Sequence, residues 1–170
     1  MDLRPVLYIV GIFLCTLAVF MAVPLCIDLY NNNTEWKAFA ISLGLCGFSG
    51  VVFILGNKQQ NIEISGRQAF LLTALAWIFL CLFSSLPFLF ATPDLGFTNA
   101  MFESVSGLTT TGATVMTGLD NMPSGILIWR ALLQWLGGVG IIVMAITILP
   151  LLNIGGMQLF RMESSDTTEK

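Results

Sequence analysis

A short amphipathic stretch, residues 97–108, runs directly into the hydroxyl-rich, uncharged segment Ser106-Gly-Leu-Thr-Thr-Thr-Gly-Ala-Thr-Val115, and both lie between long apolar runs. As a helix rising about 1.5 Å per residue, the stretch reaches roughly 18 Å, short of the roughly 30 Å of hydrocarbon in a bilayer. A helix that stops halfway and continues as polar backbone is tolerated at that depth only where protein buries it or a watery cavity receives it.

Whether a membrane is involved is decided by the flanking runs. The chain has 170 residues, 56% hydrophobic and 10% charged, with a mean hydropathy of +0.86. A soluble domain carries about 25% charged residues, so this one has too few to cover a water-facing surface. Residues 6–27, 36–55, 68–90 and 125–152 are each long and apolar enough to span. For the first, an uncleaved helix is expected over a signal peptide, because the run exceeds the usual apolar core and no clear small-residue cleavage site follows. The second is rich in small residues (Gly44, Gly47, Ser49, Gly50), which permit close helix approach. Pro87 is expected to bend or end the third. Thr98 or Asn99 is the expected N-cap of the short helix. The expected fold is all-α and integral to the membrane: four transmembrane helices plus one re-entrant pore helix and filter loop. Residues 1–57 form an N-terminal helix pair, 67–152 a helix–pore loop–helix repeat, and 153–170 a polar, disordered tail.

Several functions are disfavoured. A net charge of −3 with no basic tract speaks against nucleic acid. Cys15, Cys26, Cys46 and Cys81 stand singly in or at the ends of apolar runs and the chain has no histidine, so no zinc set or Ser–His pair is available. Gly137, Gly138 and Gly140 lack the Lys-Ser/Thr of a phosphate loop; close packing is their expected role, a hinge the weaker alternative. No enzyme and no cofactor are expected.

Orientation follows from the basic residues. With the N-terminus inside, Arg4, Lys58, Arg67, Arg161 and Lys170 are cytoplasmic and only Lys37 is outside, with Arg130 set aside inside the fourth run. Both termini are then cytoplasmic, and the segment after residue 97 enters from outside.

In that geometry the short helix aims the negative end of its dipole at the membrane centre. Thr109, Thr110, Thr111, Gly112, Ala113 and Thr114 follow. Their carbonyl and hydroxyl oxygens are neutral ligands, suited to a weakly hydrated monovalent cation such as potassium rather than to magnesium or calcium. An ordinary extracellular loop explains the same residues equally well from physics alone. Glu103 and Arg130 are ionisable residues at membrane depth and so candidates for a working role. They could buttress the loop, for instance by pairing with one another, or Arg130 could snorkel to the nearby surface.

Phe102-Glu-Ser-Val-Ser-Gly-Leu-Thr-Thr-Thr-Gly-Ala-Thr114, Trp129-Arg-Ala-Leu-Leu-Gln-Trp-Leu-Gly-Gly-Val-Gly140 and Leu149-Pro-Leu-Leu-Asn-Ile-Gly-Gly-Met-Gln-Leu-Phe160 closely resemble the Trk/Ktr superfamily of potassium-uptake proteins, most of all its bacterial Trk membrane subunit. The resemblance implies a repeat of helix, pore helix, filter and helix, four of which surround one pore. It further implies that Thr110, Thr111, Gly112 and Ala113 are one quarter of a potassium filter, for which K⁺ is expected at Thr110 and Thr111; Thr109, Thr114, Glu103 and Arg130 remain the residues that could support it on the physical reading above. It places the protein in the bacterial inner membrane and implies as partners the remaining pore repeats, a cytosolic nucleotide-binding Trk regulatory subunit and a homodimeric second copy. Only one repeat and one Thr/Gly filter are present in these residues. The chain is therefore expected to be the N-terminal third of such a protein, the alternative being a non-conducting truncated fragment or an assembly module with no transport of its own.

Overall fold

The computed structural model describes residues 3–58 and 64–151. The polar tail 153–170, with Arg161 and Lys170, lies outside the described residues, as do residues 59–63 and most of the third motif. The described residues are helical, without strands: α1 (Arg4–Tyr30), α2 (Trp36–Gly56), α3 (Gly66–Ser84), α4 (Leu86–Ala91), α5 (Gly96–Leu108) and α6 (Ser124–Leu151). Four spans are long and apolar enough to cross a membrane: Arg4–Tyr30, Trp36–Gly56, Gly66–Ala91 and Ser124–Val143. The first three match the expected runs to within a few residues, and α6, which contains the fourth, runs to Leu151 against an expected 152, because uninterrupted apolar composition leaves the helix as the one local way to satisfy the backbone.

α1 ends in a Schellman turn. Asn32 adopts a left-handed φ of 55°, while Asn33 N–H donates to the Asp28 carbonyl at 2.9 Å and Asn32 N–H to that of Leu29 at 3.2 Å. The chain then reverses into α2. These two helices pack with their backbones nearly touching: a Cβ on Gly11 would lie 2.8 Å from the Gly50 carbonyl oxygen, and one on Gly50 2.7 Å from Cys15 Sγ. Of the small residues expected to permit this, Gly50 does so, whereas a Cβ on Gly44 would meet nothing.

Ser65 and Gln68 form a capping box that starts α3. The third span is broken at Ser84–Ser85, just before Pro87, as a proline without an N–H requires. A 3-10 turn, Pro93–Leu95, leads into α5. The expected N-cap at Thr98 or Asn99 is not used: α5 begins at Gly96, with Leu95 preceding it and no side-chain cap. Gly96, at φ +70°, turns the chain directly out of the 3-10 turn and starts the helix three or four residues early. The core gathers where α1, α2, α4 and α6 meet, around the fully buried Leu14, Met21, Phe39, Phe88, Trp129 and Leu133.

Candidate functional site

α5 has 13 residues and ends in a compact turn. Thr109 N–H donates to the Val105 carbonyl at 2.8 Å and Thr110 N–H to that of Gly107 at 2.9 Å. The Ser106 carbonyl then accepts from two residues further on, Thr111 N–H at 3.0 Å and Gly112 N–H at 3.2 Å. Such a turn requires left-handed backbone, and both Thr110 (φ 59°) and Gly112 (φ 74°) adopt it. For a β-branched residue this conformation is an outlier that persists only where surrounding bonds over-determine it; the bonds at Gly107 and Ser106 do so for Thr110.

Residues 109–115 are all exposed. Among the described residues, no donor reaches the carbonyl oxygens of Thr110, Thr111 or Gly112. The next carbonyl, Ala113, is instead held from behind by Ser106 Oγ at 2.6 Å. Thr109 Oγ1 donates to the Val105 carbonyl at 2.8 Å and lies 2.9 Å from Thr111 Oγ1. The segment thus presents a short row of unclaimed carbonyls on a backbone anchored to α5 through the N–H groups of Thr109 to Gly112 and the Ala113 carbonyl.

Glu103 fixes the segment's far end. Its carboxylate is 1% exposed, and a buried charge is tolerable only when paired and hydrogen-bonded. Oε1 accepts from Thr114 Oγ1 at 2.6 Å, from Val115 N–H at 2.7 Å and from Met116 N–H at 3.3 Å. Oε2 accepts from Arg130 Nε at 2.9 Å. Arg130, on α6, is 15% exposed along its side chain; it turns inward to Glu103 rather than snorkelling away. The pair binds α5, the exposed strand and α6 into one unit.

The break in the third span is where α5 and α6 dock. Ser104 Oγ donates to the Cys81 carbonyl at 2.6 Å and lies 2.5 Å from Ser84 Oγ. Trp129 Nε1 donates to the Ser84 carbonyl at 3.0 Å. The last carbonyls of a helix lack intrahelical partners, and Trp129 occupies that of Ser84, the last residue of α3; the Cys81 carbonyl takes Ser104 in addition to Ser85 N–H. On the opposite side, a Cβ on Gly137 would collide with the Leu108 carbonyl, so glycine lets the end of α5 rest on α6. Gly138 faces Thr110 at ordinary contact distance and Gly140 faces open space.

Thr109 to Thr114 therefore form one continuous exposed segment of irregular backbone, termed the exposed strand although it pairs with no other among the described residues, and Glu103 and Arg130 meet behind its far end. Ser84, Ser104, Ser106 and Trp129 were not singled out by the sequence reading, although a serine within an apolar helix is a signal of its own. Its hydroxyl needs a partner that the lipid does not supply.

A family model described as TrkH, cation transport protein, matches residues 37–170. The chain is 46% identical over 164 residues to the Trk system potassium uptake protein TrkH of Halomonas elongata, covering 96% of this chain and 34% of that protein. It is 39% identical over 166 residues to TrkI of the same organism, covering 98% and 34%, and 41% identical over 164 residues to TrkH of Escherichia coli K12, covering 96% and 34%. Among solved structures, the crystal structure of the potassium transporter TrkH from Vibrio parahaemolyticus aligns with a TM-score of 0.85 at 42% identity, over 92% of this chain and 34% of that one. The chain thus spans about a third of the length of the relatives it matches.

Proposed function

We propose that this chain, which belongs to the TrkH family of cation transport proteins, supplies one of the four filter segments of a potassium-uptake protein, with Thr110, Thr111, Gly112 and Ala113 lining the ion's path. The observation that carries this reading is the exposed strand whose Thr110, Thr111 and Gly112 carbonyls accept no hydrogen bond among the described residues, braced from behind by the buried Glu103. Carbonyl oxygens held in place by a scaffold can replace the hydration shell of a weakly hydrated monovalent cation. K⁺ sits at Thr110 and Thr111 in this reading, Thr109 and Thr114 order the strand, and Glu103 and Arg130 act through it. No cofactor takes part, and the role is transport rather than catalysis.

The short helix fits the same reading. At 13 residues, α5 rises about 20 Å and re-enters the membrane instead of crossing it. Its carbonyl end, carrying the negative end of the helix dipole, then faces the ion. Arg4 and Lys58 lie at the end of the first two spans opposite Lys37, which supports cytoplasmic termini and an outer entrance; the bacterial inner membrane is the location that goes with this reading. A single segment cannot surround an ion, so the remaining repeats must complete the filter. The other partners proposed are a cytosolic nucleotide-binding Trk regulatory subunit and a second copy of the transporter.

The test is Gly112→Ser in a four-repeat transporter carrying this segment. A Cβ at φ +74° strains the backbone although there is room for it, with Gln134 Nε2 at 3.6 Å. Uptake of potassium and sodium is compared at equal protein amounts. A lowered potassium-over-sodium ratio is expected; an unchanged ratio with normal uptake removes Gly112 from the ion's path.

A further inference from the structure

Asp28 lies in the last turn of α1, far in sequence from the exposed strand, yet it is completely buried. Its Oδ1 accepts from Gly125 N–H at 2.8 Å and from Asn33 Nδ2 at 3.1 Å. Its Oδ2 has no partner among the described residues. Gly125 is in the first turn of α6, where N–H groups lack intrahelical acceptors and the helix dipole favours a negative charge. Asp28 therefore caps α6 from another helix. The fit leaves no spare room, because a Cβ on Gly125 would collide with the carboxylate. A second contact lies one turn further along α6, where Phe39 of α2 meets Trp129 edge-on, ring centroids 6.3 Å apart. The next residue is Arg130, the partner of Glu103.

We propose that Asp28 is a positioning residue for the ion filter: through the Asp28–Gly125 bond, the N-terminal helix pair fixes the outer end of α6 and so the register of Arg130 behind the strand. The route through the molecule is continuous. Asp28 holds Gly125, α6 is unbroken helix from Gly125 to Arg130, Arg130 holds Glu103 Oε2, and Glu103 Oε1 holds Thr114, Val115 and Met116. A helix pair that lines no filter would thereby set the filter's shape. This rests on the filter reading above.

The experiment uses a four-repeat transporter carrying this segment and measures the potassium-over-sodium uptake ratio at equal membrane protein. Asp28→Leu removes the cap, and Gly125→Ala keeps Asp28 but forces the ends of α1 and α6 apart; each is expected to lower the ratio at least threefold. Asp28→Asn keeps an acceptor oxygen at the same place and should hold the ratio near that of the parent. If Asp28→Leu fails to accumulate, Gly125→Ala and Asp28→Asn carry the test, since a merely structural role would change their amount and not their ratio. Gly112→Ser is run alongside. A parental ratio in Gly125→Ala and Asp28→Leu while Gly112→Ser lowers it overturns the positioning role. A parental ratio in Gly112→Ser as well removes the filter reading, and this inference with it.

Discussion

Glu103 Oε2 and Arg130 Nε lie 2.9 Å apart across 27 residues of sequence, and the same carboxylate's other oxygen holds the backbone N–H of Val115. The ion pair is therefore also a backbone clamp: the arginine neutralises the charge, and the spare oxygen shapes the strand. Exchanging the two charges would restore the first function only.

For that pair, Arg130→Met is expected to cost about 3–5 kcal/mol, the usual penalty for leaving one partner of a buried pair uncompensated. Glu103→Gln should also destabilise, because the amide nitrogen must face either Arg130 or the N–H groups of Val115 and Met116. The double charge reversal, Glu103→Arg with Arg130→Glu, should not recover stability, since no carboxylate would then face those N–H groups. Denaturant unfolding in detergent, followed for each variant, checks this. Recovery by the reversal would show that charge pairing alone accounts for Glu103.

Three glycines close together on α6 should behave differently. Gly137→Ala drives a methyl group into the Leu108 carbonyl and should cost at least the roughly 1–3 kcal/mol typical of overpacking. Gly138→Ala, with Thr110 Cγ2 at 3.8 Å, and Gly140→Ala, with nothing within 4 Å, should be neutral or slightly stabilising, as alanine favours the helix by about 1 kcal/mol over glycine. Melting temperatures of the three variants decide the matter. Equal losses at all three would mean that the contact between α5 and α6 is not the reason for Gly137.

The orientation is testable by labelling. Cysteines placed at Asn32 and Asn121 should react with an impermeant thiol reagent from outside intact cells, while those replacing Lys58 and Ser165 should not, after the reaction of the four native cysteines is subtracted. The basis is the excess of basic residues on one side. Labelling at position 58 from outside would reverse the topology and the side from which α5 enters.

Expressed by itself, this chain should not restore growth to cells starved of potassium. One segment cannot encircle an ion, and residues 109–115 stand exposed. In a bilayer, polar backbone left facing lipid costs several kcal/mol per unsatisfied group. Growth at limiting potassium together with a tetrameric mass in detergent would instead make the chain a self-assembling channel.

The membrane class, the four spans, the break near Pro87 and the Thr/Gly segment following a helix too short to cross were all legible in the order of residues. Each depends on composition or on the spacing of near neighbours, and a run of apolar residues has few ways to satisfy its backbone. The sequence also marked Glu103 and Arg130 as out of place, yet left pairing and snorkelling equally open, because the choice depends on how α5 and α6 pack across 27 residues. The N-cap at Thr98 or Asn99 was misread for a local reason: Gly96 had already turned the chain. Gly137, Gly138 and Gly140 look alike in sequence, and only the docking of α5 separates them. Asp28 reads as the first residue of a polar loop; the fold buries it against a helix end 97 residues away. A side chain's identity states what it can bond to. Which bond forms depends on the partners that packing brings within about 3 Å, and those lie on other helices.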